Sequence, residues 1–231
     1  MSILSIVATP IGNLEDISLR ALRVLKEADY ILCEDTRVSS KLLNFYNIKT
    51  KTISFHQHSK DVKVDKIVKL LENDSKIALI TDAGTPGISD PGSKLVEIVR
   101  SELKDKVKIE AIPGASALVS AISISGTGFD HFLFLGFLPH KKGRQSKLKE
   151  IATLNYPVVL YESKHRILKL LKELRDLENE YSINLEISIA RELTKMHESY
   201  LRGSADELEK NLNDNISSLK GEFVVLIKKI K

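Results

Sequence analysis

The chain has 231 residues, of which 42% are hydrophobic and 29% charged. That balance excludes disordered and fibrous classes and suits one large domain or two of about 110 residues. The net charge of +4 permits a polyanionic partner without demanding one. Cys33 is the single cysteine, which excludes an intramolecular disulfide and suggests a reducing compartment. No stretch reads as a signal peptide or a membrane span, so the expected location is cytoplasmic.

In chain order, the apolar run at 3–8 predicts a first strand, and the spacing of Leu19, Leu22 and Leu25 predicts a helix over 18–28. A strand at 30–33, a helix at 36–46, a strand at 52–55 and a helix at 62–71 repeat the pattern. A strand at 77–80, a long loop, a helix at 94–100, a strand at 107–112 and a small-residue helix at 115–123 complete the first half. Such alternation implies a parallel sheet covered by helices. SGTGFD at 125–130 is turn-rich and reads as a linker, giving expected domains of 1–124 and 125–231. In the second half, strands are expected at 131–137, 158–161, 183–190, 200–202 and 222–227, with helices at 141–151, 166–177 and 205–212. Strands dominate the end, so a mixed α+β domain is expected there.

The segment ITDAGTPGISDPG at 80–92 gathers Gly84, Gly87, Gly92, Pro86, Pro91, Asp82 and Asp90 between a strand and a helix. An ordinary connection of this kind needs only about 2–6 residues. Glycines let backbone approach a ligand and take positive φ, and prolines stiffen the turn. Two further junctions, Thr9-Pro10-Ile11-Gly12-Asn13 and Pro113-Gly114-Ala115-Ser116-Ala117, also follow strands. In a parallel sheet these carboxyl ends share one edge, where open α/β sheets bind ligands. Gly136-Phe137-Leu138-Pro139 is a similar junction in the second half. Standard nucleotide motifs fail: Ser93 precedes Lys94 where a phosphate loop needs Gly-Lys-Ser/Thr, and Gly126-Thr127-Gly128 lacks a third glycine. His56 and His58 have no cysteine or helical histidine partner that would make a metal site.

Polar clusters leave three strands. Cys33-Glu34-Asp35-Thr36-Arg37 follows one, and Asp35 or Thr36 would alternatively cap the next helix. Tyr161-Glu162-Ser163-Lys164-His165-Arg166 and Arg191-Glu192-Leu193-Thr194-Lys195 follow two others. Five of the nine residues at 141–149 are basic, including Lys141, Lys142 and Arg144. Such a run is either a solvated face or a grip on phosphate.

These residues resemble the tetrapyrrole-methylase-like S-adenosylmethionine-dependent methyltransferases. More closely, the chain resembles the branch that methylates a cytidine ribose 2′-hydroxyl in the decoding centre of 16S small-subunit ribosomal RNA. VATPIGNLEDIS, CEDTR, SFHQH, DAGTPGISDPG, IPGASA, GFLP, LYESKHR and ARELTKMHE occur in family order from Val7 to Glu198. One departure is Lys164, where the branch commonly has proline in YESPHR. The resemblance implies two α/β domains, a mostly parallel first sheet and a mixed second one, with S-adenosyl-L-methionine in the cleft between them and usually a homodimer. It implies cofactor contacts at Pro10, Ile11, Asp82, Gly84, Thr85, Ile88, Ser116, Ala117, Tyr161 and Ala190, with Gly84 too close to the cofactor for any side chain.

Methyl transfer to a 2′-hydroxyl needs orientation and is helped by a base. Asp35, His56, Glu162 and Glu192 are candidates, with Asp35 and Glu192 preferred and the latter alternatively paired with Arg191 or Lys195. Arg37, Lys141, Lys142, Arg144, Arg166, Arg191 and Lys195 are expected at RNA, the arginines alternatively in structural ion pairs. The partner is then ribosomal RNA or the 30S subunit. A small tetrapyrrole-like acceptor, or a non-catalytic RNA-binding role, is the rival reading.

Overall fold

The structure, a computed structural model, describes residues 1–56, 61–90, 92–215 and 219–230; His58 and Pro91 lie outside the described residues. The chain forms two compact units, Met1–Ser116 and Ala117–Lys231.

The first unit alternates β1 (Ser2–Val7), α1 (Leu19–Glu27), β2 (Tyr30–Cys33), α2 (Thr36–Phe45), β3 (Lys51–Ser54), α3 (Asp61–Glu72), β4 (Lys76–Leu79), α4 (Gly92–Glu102) and β5 (Val107–Ile112). All pairings are parallel, in the order β3-β2-β4-β1-β5. The strands read as continuous apolar runs because both faces are covered. Leu4, Leu32, Ile77 and Leu79 face a core with Ile67 and Leu71 of α3 and Leu95 and Val99 of α4. Val7, Ile31, Cys33, Ala78 and Ile80 face the opposite core with Ala21 and Leu25 of α1 and Leu42 and Leu43 of α2. The period of two along each strand divides the residues between these layers. Burial raises the Cys33 thiol pKa, so it packs as a small apolar group.

This topology creates a switch point. The chain leaves β4 toward α4 on one face, while its sheet neighbours β1 and β2 send the chain to α1 and α2 on the other. Loops that diverge from adjacent carboxyl ends open a crevice beside β4, the usual ligand position in such sheets.

The second unit contains α5 (Ala117–Ser125), β6 (Leu133–Phe137), α6 (Arg144–Thr153), β7 (Val158–Ser163), α7 (Ile167–Tyr181), β8 (Asn184–Arg191), β9 (Ser199–Gly203), α8 (Ala205–Asp214) and β10 (Glu222–Ile230). Its sheet runs β6-β7-β10-β8-β9, parallel only between β6 and β7. One face, including Val158, Leu160, Ile187, Ile189, Phe223 and Val225, packs on α6, α7 and α8. Helix α7 supplies Ile167, Leu170, Leu171, Leu174 and Leu177, a single apolar stripe at helical spacing. Ser204 and Glu207 form a reciprocal capping box that starts α8. Helix α5 goes with this unit, so the division falls one helix before the boundary expected at 124/125.

Candidate functional site

Three loops of the first unit are tied together at the switch point. The Thr9 N–H donates to the Gly84 carbonyl at 2.9 Å and the Gly84 N–H to the Thr9 carbonyl at 3.0 Å. Thr9 Oγ1 also donates to the Thr81 carbonyl at 3.2 Å, and Thr85 Oγ1 to the Ala115 carbonyl at 3.1 Å. Gly84 holds φ +80° and Gly87 φ +88°, values that exclude most side chains. A Cβ on Gly84 would lie 3.3 Å from Ile11 Cγ2 and 3.6 Å from the Ala115 carbonyl oxygen. The close approach at Gly84 is therefore within the chain itself, between the loops. Asp90 finishes the turn by accepting from the N–H groups of Gly87 at 2.7 Å and Gly92 at 2.9 Å.

The surface of this crevice suits an adenosine bearing a charged amino-acid tail. Pro10 and Ile11 are buried beside it, and Ile88 stands 42% exposed at the loop. Asp82 is exposed, and Ser116 and Ala117 are half-buried where the chain enters α5. Apolar side chains for a base, a carboxylate for hydroxyls or an ammonium, and backbone held open by glycine fit S-adenosylmethionine. A different concavity, of about 570 Å³, lies at the amino edge of the sheet around Lys26, Asp29, Tyr30 and Lys51. It lies at the other end of the strands from all three loops.

The carboxylates beside β2 have distinct jobs. Asp35 caps α2: its Oδ1 accepts from the Arg37 N–H at 2.8 Å and its carboxylate holds the Arg37 guanidinium at 2.7 Å. The Arg37 hydrogen bonds hold the Asp35 pKa at about 2. Asp35 thus takes the helix-capping role that was its alternative and pairs with Arg37. Glu34, one residue earlier, behaves oppositely. Burial raises its pKa, against a hydrogen bond from Thr81 Oγ1 at 3.1 Å.

In the second unit, direct cross-strand pairing aligns Phe137, Tyr161, Val224, Ala190 and Tyr200 in one row across five strands. Paired residues project to the same face. Helix α5 packs on this face, with Tyr200 Oη donating to the Ser125 carbonyl at 3.4 Å. Tyr161 meets α5 at its first turn: burial raises the phenol pKa, and a hydrogen bond with the Leu118 backbone opposes that shift. The two second-half residues expected at the cofactor, Tyr161 and Ala190, thus share a row and lie under α5.

Several residues expected at RNA are turned inward instead. Arg144 has a side chain 3% exposed and lies 2.6 Å from Glu173 and 3.5 Å from Glu162. Arg166 lies 2.7 Å from Glu162 and donates to the Leu138 carbonyl at 2.8 Å. Arg191 is buried and donates to the carbonyls of Lys220 at 2.7 Å and His197 at 2.9 Å. Lys195 bridges Glu192 at 2.8 Å and Glu222 at 2.9 Å. These four are structural because a buried or doubly paired cation has no valence left for phosphate. Arg37 is exposed but committed to Asp35. Lys141 and Lys142 are exposed and make no ion pair among the described residues.

Glu192 likewise has the alternative role. Burial would raise its pKa, but hydrogen bonds from Lys195 and the Glu222 N–H outweigh that and lower it. It sits at φ +50°, and a Cβ on Gly221 would fall 2.4 Å from its Cγ. Glu192 is held on two sides, by Lys195 and by the Glu222 N–H. Glu34 stands in the polar cluster after β2 without any sequence signal that sets it apart from Asp35. Glu34 and Asp35 are both half-buried, so what distinguishes them is their partners, Thr81 and Arg37, which are invisible in a single sequence.

A family model described as Tetrapyrrole (Corrin/Porphyrin) Methylases matches residues 4–209. Ribosomal RNA small subunit methyltransferase I of Hydrogenobaculum sp. (strain Y04AAS1) is 42% identical over 228 residues, covering 98% of this chain and 95% of its own. The protein of the same name from Thermotoga maritima is 42% identical over 207 residues, covering 90% of each chain. Among solved structures, the cobalamin biosynthetic enzyme cobalt precorrin-4 methyltransferase shares the fold at TM-score 0.70 and 17% identity, covering 98% of this chain and 94% of its own. Diphthine synthase does so at TM-score 0.70 and 17% identity, covering 98% and 90%. With the switch-point loops and the two sheets in place, these matches show that the chain belongs to the tetrapyrrole methylase family, within its ribosomal RNA small subunit methyltransferase I group.

Proposed function

We propose that this chain transfers a methyl group from S-adenosylmethionine to the 2′-hydroxyl of a cytidine in the decoding centre of 16S small-subunit ribosomal RNA. The observation that carries this reading is 42% identity over 98% of the chain to a relative named for ribosomal RNA methylation. The loop geometry at the switch point supports the cofactor half of this reading. A methyltransferase of this family uses the cofactor as a methyl sulfonium, which supplies the electrophile. The protein has to position it and the acceptor and to receive one proton.

In this proposal Pro10, Ile11, Gly84, Thr85 and Ile88 hold the cofactor in the first unit, with Asp82 and Ser116 as polar contacts. Ala117, Tyr161 and Ala190 contribute from the second unit. The Thr9–Gly84 and Thr85–Ala115 hydrogen bonds preorganise the loops, so binding pays little ordering entropy. Glu34 is the proposed proton acceptor: it is half-buried, steadied by Thr81, and raised toward the operating pH. Lys141 and Lys142 grip RNA phosphate. The chain works in the cytoplasm as a homodimer on RNA within the 30S subunit. No helix among the described residues is long and apolar enough to cross a membrane.

The test is to incubate small ribosomal subunits lacking the modification with radiolabelled cofactor and map the product. Label on a decoding-centre cytidine ribose is expected. Label on a base, on another nucleotide or only on a tetrapyrrole overturns the assignment.

A further inference from the structure

We propose that the carboxyl edge of β6 and β7 is a clamp for single-stranded RNA, in which one base stacks on Phe137 and the neighbouring phosphates meet Lys141, Lys142 and Lys164. The inference rests on the reading that ribosomal RNA is the substrate, and it names how that RNA is held.

Phe137 is 53% exposed at the last position of β6. Its place there is built by a bulge. Phe134 pairs with Val159 and Phe137 with Tyr161, so three steps on β6 match two on β7. Gly136 takes up the extra residue at φ +58°. In a regular strand Phe134 and Phe137, three apart, would point to opposite faces. The bulge brings both rings to Tyr161, at centroid distances of 5.0 Å and 5.5 Å. Bulges that re-aim a side chain at a sheet edge recur beside functional sites. A ring braced by Tyr161, itself packed on Phe134, yet half open to solvent, is a stacking platform for a base.

The loops that leave this edge carry charge. Because β6 and β7 are parallel, the loops that follow them leave from the same edge. One carries Lys141 and Lys142, and the other carries Lys164, all exposed and without an ion pair among the described residues. Both loops are held by one buried network. Glu162 of β7 lies 2.7 Å from Arg166 and 3.5 Å from Arg144. Arg166 donates to the Leu138 carbonyl at 2.8 Å, and Arg144 to that of Pro139 at 3.4 Å. The internal cations thereby fix the backbone that displays the external ones. An aromatic platform flanked by unpaired lysines is the combination that single-stranded nucleic acid requires. Lys164, exposed at the end of β7, adds a cation to this edge.

The experiment measures affinity for a single-stranded RNA of the decoding-centre sequence across a salt series, using full-length Phe137→Ala, Phe137→Trp and the triple variant Lys141→Glu, Lys142→Glu, Lys164→Glu. Cofactor affinity by calorimetry and oligomeric state by light scattering are read in parallel. Phe137→Ala is expected to weaken binding about tenfold and Phe137→Trp to restore it, as base stacking predicts. The triple variant should flatten the log–log salt slope by roughly 2, at about 0.7 per lost phosphate contact. Unchanged RNA affinity in Phe137→Ala overturns the clamp, as does loss of cofactor affinity or of the oligomer in that variant, which would make Phe137 a cofactor or subunit contact. If the wild type methylates subunits while the variants bind RNA as it does, only the clamp fails. Absence of binding to this RNA by a wild type that still methylates subunits also overturns the clamp alone, whereas a wild type that methylates no subunit overturns the reading on which it rests.

Discussion

The carboxyl edges of the two sheets are held in different ways. The first is fastened by uncharged contacts, the Thr9–Gly84 pair and the Thr85–Ala115 hydrogen bond, around glycines with positive φ. The second is fastened by buried charge, with Arg144, Arg166, Glu162 and Glu173 locked beneath exposed lysines. Close backbone approach suits a small cofactor, while displayed cations suit a polyanion. A sequence rich in Arg and Lys conceals this division of labour, because the internal and external cations look alike.

The largest expected effect comes from removing the internal charge. Arg144→Ala removes the buried partner of Glu173 and leaves Glu162 to Arg166 alone, and should cost about 3–5 kcal/mol in denaturant unfolding. The exposed Arg23–Glu27 pair is the contrast: Arg23→Ala should cost at most about 0.5 kcal/mol. Equal losses at the two sites would erase the distinction between scaffold and surface charge.

Proton acceptance gives the next effect. Glu34→Gln should lower single-turnover methylation at least about 100-fold with cofactor affinity retained. Because the Glu34 pKa is raised, the wild-type rate should fall as pH drops through that raised value, and the variant should lose this acid limb. An acid limb that survives in Glu34→Gln assigns the base elsewhere.

Gly84→Val places a branched side chain at φ +80° against Ile11, with a strain of about 1–3 kcal/mol. Calorimetry should show cofactor affinity lost. Gly126→Ala, also at positive φ but with nothing within 4 Å of its added Cβ, should leave that affinity intact. Loss of affinity in both would mean strain alone, without crowding at the crevice, is responsible.

The smallest effect belongs to Asp35→Ala, which removes a helix cap and an ion pair but no proton acceptor. Turnover should persist, with slightly lower thermal stability. Since the folded pKa of Asp35 is depressed to about 2, its stabilisation is full above the ordinary aspartate range. It is lost as pH falls through about 2, so wild type and variant should converge in acid. A loss of turnover larger than the loss of stability would return Asp35 to the chemistry.

The elements were legible because each had its own period. Leu19, Leu22 and Leu25 marked α1, and the apolar run of residues 77–80 marked β4. The convergence of the loops at Thr9, Gly84 and Ala115 was also legible, since parallel strands put their carboxyl ends together. The roles of charged residues were not. Arg144 sits in a run of exposed-looking lysines, and only its long-range partners Glu162 and Glu173 show that it is internal. Phe137 was hidden by the same limit: strand alternation assigns it the wrong face until the Gly136 bulge is seen.

In the proposed function the switch-point loops hold the cofactor. Amide hydrogen exchange with and without S-adenosylmethionine tests it directly. Protection is expected in 9–13, 84–90 and 114–118, with little change at 26–30 and 47–51 on the amino edge. Protection confined to the amino edge, with the three loops exchanging as before, would contradict it.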